Sequence, residues 1–300
     1  MYVITGATGN TGSVVARQLL AKGKKVRVIG RSAERLESLA GEGAEPFVAS
    51  VTDAAALTKA FAGAEGVYAM LPPDVTSADV RAYQERASDA LAAALAQAAV
   101  KRAVVLSSIG ADKPDKTGPV MGLHNLEQKL NGIAGLNVLH LRAGYFMENT
   151  LAQVGIIRTI GKAAGPLRGD LKLPLIATKD IGAAATEALL RPEFSGSQAR
   201  ELLGQRELSM DEASAIIGKA IDKPGLAYVQ LTDEQLRPAL LQLGMSSNFA
   251  DLLLEMAAAL NSGYMRALEK RMQQNTTTTS FETFVDNKFV PLYRGQTRAA

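Results

Sequence analysis

The sequence predicts an α/β fold of the Rossmann type, a doubly wound parallel sheet followed by a smaller helix-rich C-terminal domain. Three observations predict it. Short apolar segments alternate with helical segments through the first half of the chain, a glycine-rich stretch follows the first apolar segment, and helical patterns dominate after residue 209. Because parallel neighbouring strands need helical crossovers, this alternation builds one sheet with helices on both faces.

The elements of the first half follow in order. We predict strands over residues 2–5, 25–29, 45–49, 66–71, 103–107 and 137–141. Most are continuous apolar runs, as expected for strands that are buried on both faces. The segments 10–22, 32–40, 53–62, 77–100 and 121–131 are predicted as helices.

The second half changes character. Residues 174–190 and 199–204 are predicted to return to the sheet as a helix followed by a strand. Helices are predicted over 150–161, 210–221, 234–243, 249–261 and 280–289, with one strand at 227–231. We therefore predict a dinucleotide-binding domain of residues 1–150, with 174–204 returning to it, and a smaller α+β domain in the rest of 151–300.

Composition excludes several classes of protein. Apolar residues make up 47% of the chain and charged residues 21%, which is an ordinary globular balance. The chain has no cysteine and two histidines, so disulfides, thiolate metal sites and a cysteine nucleophile are excluded and no metal site is predicted. The net charge of +3 comes without a basic block, so nucleic acid is not an expected partner. No signal peptide and no membrane-spanning apolar run is found, and we expect a soluble cytoplasmic protein.

A glycine-rich loop joins the first strand to the first helix. It reads Gly6-Ala7-Thr8-Gly9-Asn10-Thr11-Gly12. The first glycine allows a tight turn, the second lets backbone amides approach a phosphate, and the third lets the helix lie close to the strand. The helix N-terminus presents free N–H groups to a pyrophosphate. This context predicts a dinucleotide site rather than a purely structural turn.

The end of the second strand favours NADP(H) over NAD(H). An NAD site usually places an acid there for the ribose 2′-hydroxyl, but this chain has Arg31 and Ser32, with Arg35 one helical turn later. The two guanidinium groups are predicted to bind a 2′-phosphate, and the serine adds a hydroxyl. The alternative is that both arginines are solvated surface residues.

The glycine spacing resembles the short-chain dehydrogenase/reductase superfamily, whose usual chemistry needs Tyr-x-x-x-Lys. None of the seven tyrosines is followed four residues later by lysine. In the helix where the pair belongs, Asn125 stands at the tyrosine position and Lys129 at the lysine position. Ser107 ends the preceding strand, near where the superfamily keeps its serine.

The whole pattern is similar to the atypical NmrA-like branch of that superfamily. The resemblance rests on the glycine loop, Arg31, the helix from His124 to Lys129, and the stretch Arg142-Ala143-Gly144-Tyr145-Phe146-Met147-Glu148-Asn149. The branch includes NADPH-dependent quinone oxidoreductases, reductases of azo and triphenylmethane dyes, and regulators that sense NADP(H). The resemblance implies that Leu71, Pro72, Lys129, Gly144 and Tyr145 line the nicotinamide half. Ser50 stands where many members carry an aspartate for the adenine.

The missing tyrosine restricts the acceptor. Hydride addition to an aliphatic carbonyl makes an alkoxide that needs a positioned acid, whereas a reduced quinone is a phenolate with a pKa of about 10 that water can protonate. The loss therefore favours flat, conjugated, electron-poor acceptors.

The side chains predicted around such an acceptor are these. Tyr145 and Phe146 are predicted to stack on it, Asn149 is a possible substrate contact, His124 a possible proton source and Lys129 a ribose ligand. The alternatives are a core position for Phe146, a surface role for His124 and a solvated Lys129. Met245, Phe249, Met256 and Tyr264 are interpreted as core, with a substrate lid as the alternative, and His140 is interpreted as structural.

Two functions follow from these residues. The first is an NADPH-dependent reductase of quinones or similar acceptors. The second is a non-catalytic NADP(H) redox sensor that acts on a protein partner. A homodimer is compatible with either function.

Overall fold

The computed structural model describes residues 1–296. Its centre is a seven-stranded sheet in which every neighbouring pair is parallel. The strands along the chain are β1 (Tyr2–Ile4), β2 (Val26–Gly30), β3 (Glu45–Val48), β4 (Gly66–Ala69), β5 (Arg102–Ser108), β6 (Asn137–Ala143), β7 (Tyr145–Phe146), β8 (Ala163–Gly165), β9 (Leu173–Ile176), β10 (Ser197–Leu202), β11 (Glu207–Leu208) and β12 (Tyr228–Gln230). The central sheet has the order β10-β6-β5-β4-β1-β2-β3.

The helices lie between and beyond these strands. They are α1 (Gly12–Ala21), α2 (Ala33–Gly41), α3 (Ala54–Phe61), α4 (Val80–Gln97), α5 (Val120–Asn131), α6 (Gln153–Ile160), α7 (Thr178–Leu190), α8 (Met210–Ala220), α9 (Asp233–Gln242), α10 (Ser247–Asn261), α11 (Phe281–Phe284) and α12 (Val290–Tyr293). None of the helices in residues 1–296 is long and apolar enough to cross a membrane.

The two faces of the central sheet bury separate cores. Because strand residues alternate in direction, Val3 packs against α3, α4 and α5, while its neighbour Ile4 packs against α1, α2 and α7. Both side chains are fully buried. The predicted doubly wound sheet is therefore confirmed, and its strands are continuously apolar because both faces of the sheet are buried, as predicted.

The predicted return of the chain to the sheet also occurs. Residues 173–176 form β9, which lies outside the central sheet, and α7 follows directly. Strand β10 then pairs in parallel with β6 along six residues and forms one edge of the central sheet. The expectation of a helix from residue 174 was wrong at its start, because Pro174 pairs with β11 in an antiparallel ladder.

The C-terminal part contains more strand than the sequence predicts. The pair β8 and β12 and the group β11-β9-β7 form two small sheets beside helices α6 and α8 to α12. Strand β8 lies in a glycine-rich segment that has no strand pattern, because its pairing partner is sixty-odd residues away. The last predicted helix, 280–289, continues to Tyr293 and contains a π-helical turn at Val285–Phe289.

Candidate active site

The glycine loop between β1 and α1 has the compact shape that its sequence predicts. Gly6 has a φ of +59°, and its carbonyl accepts the N–H of Gly9 at 2.9 Å. A Cβ on Gly12 would lie 2.3 Å from the Gly6 carbonyl oxygen, so only glycine lets α1 approach the strand this closely. Gly6 and Gly12 thus determine the shape of the loop, whereas Gly9 lies at its exposed tip.

The start of α1 leaves backbone donors available. Thr11 is the N-cap residue and its side chain makes no capping hydrogen bond. Within residues 1–296, the N–H groups of Asn10, Thr11 and Gly12 have no hydrogen-bond acceptor. Unpaired N–H groups at a helix N-terminus carry partial positive charge and bind anions. Thr8, Gly9 and Asn10 are exposed, so a phosphate can reach this loop from solvent.

Buried hydroxyl groups hold the loop from below. The Tyr68 hydroxyl donates to Thr11 Oγ1 at 2.8 Å, and both residues are buried. Thr5 Oγ1 accepts the Met70 N–H at 3.1 Å. Burial raises the pKa of Tyr68, so its hydroxyl remains protonated. The predicted cofactor contact of Thr11 is therefore available through its backbone N–H, because its hydroxyl is already bonded inside the protein.

The cations predicted for a 2′-phosphate lie at the surface. Arg31 and Arg35 are exposed, and no carboxylate of residues 1–296 forms an ion pair with either. Ser32 is the N-cap residue of α2 but makes no side-chain capping bond, which leaves its hydroxyl free. Ser50, at the end of β3, shares a 2.9 Å hydrogen bond with the hydroxyl of Thr52.

Helix α4 adds two residues to this end of the sheet that the sequence analysis did not identify. Burial raises the pKa of Tyr83, the charge of Asp74 raises it further, and the charges of Arg31 and Arg86 lower it. Tyr83 and Arg86 both belong to α4, and the charge of Arg31 acts on the Tyr83 hydroxyl. Arg86 is a further exposed cation, and no strand–helix motif in the sequence indicates it.

An apolar cavity of about 330 Å³ opens at the carboxyl ends of β4, β5 and β6. Open parallel sheets bind their ligands at this edge, and the volume is within the range of small-molecule sites. The wall opposite the strands is formed by α10 and the segment after it. The lining residues from the strand ends are Met70, Leu71, Pro73, Asp74, Leu106, Ser107, Ser108, Ile109, Ala143, Gly144, Tyr145, Phe146 and Asn149, and those of the far wall are Phe249, Leu253, Met256, Leu260, Met265, Arg266 and Ala267.

Most residues predicted around the nicotinamide and the acceptor meet at this cavity. Leu71, Ser107, Gly144, Tyr145, Phe146 and Asn149 all line it, whereas Pro72 lies between two lining residues without joining them. A Cβ on Gly144 would lie 2.4 Å from the Pro174 carbonyl oxygen, so glycine is needed where β6 meets β9. Burial raises the pKa of Tyr145, while the side chain of Asn149 opposes the shift. The Tyr145 hydroxyl is thus a proton-bearing donor at neutral pH.

Two predicted residues lie elsewhere. Lys129 Nζ bonds Glu85 at 2.7 Å and also pairs with Asp89 on the outer face of α4. Val120 and Leu123 at the start of α5 line the cavity, and Lys129 lies six residues, or about 9 Å, further along the helix than Leu123. His124 is held by a 2.8 Å hydrogen bond from Nδ1 to the Ala111 carbonyl and does not line the cavity. This placement argues against the predicted ribose contact of Lys129 and against proton transfer by His124.

A buried ion pair beneath the cavity was missed. Ser107 Oγ donates to Glu127 Oε1 at 2.6 Å, and Arg142 binds both oxygens of Glu127, with Nη2–Oε2 at 2.6 Å. Glu127 is 2% exposed. A buried carboxylate needs such partners to remain charged. The helical position of Glu127 alone looks like an ordinary surface acid, so only the register of α5 against β5 and β6 reveals it.

The residues Met245, Phe249, Met256 and Tyr264, interpreted as core with a substrate lid as the alternative, have different surroundings. Phe249 and Met256 line the cavity, whereas Met245 packs in a small cluster with Phe249, and Tyr264 is exposed. His140, interpreted as structural, is 2% exposed and bonds Asn131 at 2.8 Å. Its position in the middle of β6 is consistent with that role.

The parallel sheet, the compact glycine loop with its unpaired amides and the apolar cavity at the strand ends define a protein of the Rossmann dinucleotide-binding class. Within this class the chain belongs to the NmrA-like family, whose sequence model matches residues 2–285.

Three relatives illustrate the family. The chain is 30% identical over 267 residues to an NAD(P)H azoreductase of Xenophilus azovorans, covering 88% of this chain and 89% of that protein. It is 29% identical over 241 residues to a (4-alkanoyl-5-oxo-2,5-dihydrofuran-3-yl)methyl phosphate reductase of Streptomyces griseus, with 80% of each chain covered. The crystal structure of an NADPH-dependent quinone oxidoreductase of Escherichia coli complexed with NADPH has 26% identity and a TM-score of 0.81, covering 96% of this chain and 100% of that chain.

Proposed function

We propose that this protein is an NADPH-dependent reductase that transfers hydride to a quinone or a similar conjugated, electron-poor acceptor. The observation that carries the proposal is the apolar cavity beside the glycine loop, with Tyr145 and Phe146 in its wall. The relatives support a reductase, since their names describe reduction of azo compounds, a dihydrofuranone phosphate and quinones.

The hydrogen-bond donors around the glycine loop and after β2 suit the phosphate groups of NADPH. The unpaired N–H groups of Asn10, Thr11 and Gly12 suit a pyrophosphate. Arg31 and Arg35 are free of ion pairs within residues 1–296 and suit a 2′-phosphate, which carries two negative charges that an acidic residue would repel. The bound cofactor would supply the hydride, and the chain supplies position and exclusion of water.

The acceptor end fits a planar aromatic molecule. The cavity lining is predominantly apolar, and its aromatic rings suit stacking on a conjugated acceptor. Rate then depends on holding acceptor and cofactor at reacting distance, an effect that can be worth several kcal/mol. The protonated hydroxyl of Tyr145, in the cavity wall, is a hydrogen-bond donor for an acceptor oxygen or nitrogen.

The test is NADPH oxidation with a panel of quinones, azo dyes and triarylmethane dyes. We expect turnover with at least one class and none with aliphatic ketones, because the cavity has no tyrosine–lysine pair to protonate an alkoxide. Tight NADPH binding with no turnover of any acceptor would replace the reductase by the alternative, a redox sensor with a protein partner.

The 2′-phosphate contact is tested separately. In the double variant Arg31→Ala, Arg35→Ala we expect the preference for NADPH over NADH to fall about tenfold to a hundredfold, since hydrogen bonds to charged groups contribute about 1.5–3 kcal/mol. Arg191→Ala, which removes a highly exposed arginine directly after α7, is the matched control and leaves the ratio unchanged. An unaltered ratio in the double variant would show that NADP specificity has another source.

A further inference from the structure

The cavity lining contains one cationic side chain within residues 1–296, and it is Arg266. It belongs to the segment 262–277, here called the strap, which follows α10 and crosses the edge strand β10. The Arg266 side chain is exposed, and no carboxylate of the described chain pairs with its guanidinium. Within residues 1–296, the guanidinium of Arg266 makes no hydrogen bond or ion pair that would stabilise the fold.

The strap is anchored on both sides of Arg266. Before it, Met265 is 3% exposed and its N–H donates to the Ala259 carbonyl at 3.0 Å. After it, the carboxylate of Glu201 on β10 accepts the N–H groups of Leu268 at 2.9 Å and Glu269 at 2.8 Å. Because both neighbours are fixed, the Arg266 backbone is held at the cavity while its side chain stays free to meet a ligand.

The one acidic residue of the lining within residues 1–296 is Asp74, which follows β4, whereas Arg266 belongs to the strap after α10. The Asp74 carboxylate already accepts hydrogen bonds from the backbone N–H and the hydroxyl of Thr76. The charged side chains of the lining therefore come from two separate segments, and the lining between them is mainly apolar.

We propose that the acceptor is an anionic aromatic molecule whose sulfonate, carboxylate or phosphate group binds Arg266 while its ring system lies in the apolar part of the cavity. The inference rests on the proposed reductase function and specifies its substrate class. A planar guanidinium matches the paired oxygens of such groups and forms charge-assisted hydrogen bonds with them. A cationic dye gains nothing from Arg266, and a neutral quinone gains only the apolar contacts.

The experiment compares a naphthoquinone with the same naphthoquinone carrying one sulfonate. For Arg266→Gln we expect kcat/KM for the sulfonate to fall about tenfold, the low end for a charge-assisted contact because Arg266 is exposed, and kcat/KM for the neutral quinone to change less than about twofold. The two quinones differ in reduction potential, but this difference does not affect the result because each quinone is compared between wild type and variant.

Lys270→Gln is the matched control. It removes the same charge from the same strap at an exposed residue that does not line the cavity. We expect it to leave both acceptors unchanged, and added salt to raise the KM of the sulfonate in wild type but not in Arg266→Gln. If kcat/KM for the sulfonate falls equally in Arg266→Gln and Lys270→Gln, the positive surface attracts the anion in general, and the proposal is overturned. It is also overturned if Arg266→Gln lowers kcat/KM equally for the sulfonate and the neutral quinone.

A failure of the reductase function is distinguishable from a failure of this inference. If wild type reduces neither quinone, the proposed function falls, and titration calorimetry of naphthalenesulfonate into NADP-loaded wild type and Arg266→Gln still decides the charge recognition. Equal affinity of the two proteins for naphthalenesulfonate would overturn it. A reductase that is active on both quinones and unaffected by Arg266→Gln overturns the inference and leaves the function standing.

Discussion

The two ends of the site are built in opposite ways. The cofactor end is local in sequence, because its turn, its amides and its two arginines come from residues 6–12 and 31–35. The acceptor end is assembled from strand ends and a wall that are far apart along the chain, from Met70 to Ala267. The pyrophosphate is the same in every dinucleotide, so one motif suffices for it, whereas the acceptor differs between relatives and is met by side chains that vary independently.

This difference makes the two ends separable by mutation. Changes at the loop are expected to affect cofactor affinity and the packing of the sheet together, since the same glycines do both. Changes in the far wall of the cavity are expected to affect only the acceptor. The predictions below test this separation.

The largest effect is expected at the loop. Gly12→Ala places a Cβ 2.3 Å from the Gly6 carbonyl, so α1 has to move away from β1. We expect a loss of about 4 kcal/mol in the free energy of unfolding, more than the about 1–3 kcal/mol usual for overpacking because the backbone itself has to shift, together with loss of NADPH binding. Urea denaturation and fluorescence titration measure the two. Gly41→Ala, at the end of α2 with open space around it, is the control, and it lowers neither the free energy of unfolding nor the affinity for NADPH.

The ion pair beneath the cavity is expected to come second. Glu127→Gln leaves Arg142 without an anionic partner, and breaking a buried pair costs about 3 kcal/mol or more. The same exchange at Glu42, whose pair with Arg17 is exposed, is expected to cost far less. Denaturation of both variants measures the difference. Equal losses would mean that the burial of Glu127 does not determine its contribution.

The far wall gives a smaller and more selective effect. Phe249→Ala removes an aromatic ring from the cavity wall, and an aromatic contact with the acceptor contributes about 0.5–1.5 kcal/mol. We expect the KM of the acceptor to rise about twofold to tenfold, with the Kd of NADPH unchanged. Leu243→Ala, on the exposed turn before α10, is the control and leaves both constants unchanged. A parallel rise in the Kd of NADPH would contradict the separation of the two ends.

The smallest effect is expected for the pH dependence of stability that comes from Glu201, whose carboxylate binds the strap through the N–H groups of Leu268 and Glu269. Burial raises the pKa of Glu201 above its usual value of 4.5, although the N–H groups of Glu269 and Leu268 oppose this. Because the folded state binds the proton more tightly than the unfolded chain, the associated stability is fully present below pH 4.5 and is lost as pH rises through the raised pKa.

Glu201→Gln removes this titration and keeps one acceptor oxygen. We expect the free energy of unfolding of wild type, relative to Glu201→Gln, to increase on acidification from about pH 7 to about pH 4. Paired denaturation curves at the two pH values measure it. A relative decrease would mean that the hydrogen bonds from Glu269 and Leu268, rather than burial, dominate the pKa of Glu201.

Most of the central sheet and half of the site were predictable from the sequence. The six predicted strands correspond to β1 to β6, because continuous apolar runs between helices have few other solutions. The cluster of Ser107, Gly144 and Tyr145 at the cavity follows from one rule, that parallel strands end at the same edge. Strand β8 was missed because its three small residues, Ala163–Gly165, become a strand only by pairing with β12.

Lys129 shows the limit of reasoning from motif position. Its place in the sequence matches the lysine of the superfamily, but α5 begins at Val120 and carries it away from the strand ends to pair with Glu85 and Asp89. Glu127, two residues earlier, turns inward instead. Which side chains of a helix face a site depends on the residue at which the helix begins and on its rotation against the sheet. The local sequence does not determine either of these.

The sequence by itself determined the sheet, the turn at Gly6 and Gly12, and the pair of arginines after β2, because each depends on residues that are neighbours in the chain. Only the tertiary structure decided the acceptor cavity, the burial of Glu127 under Ser107 and the place of Arg266 on the strap. These features depend on contacts between segments separated by a hundred residues or more, or on helix register, and such contacts exist only once the sheet has brought those segments together.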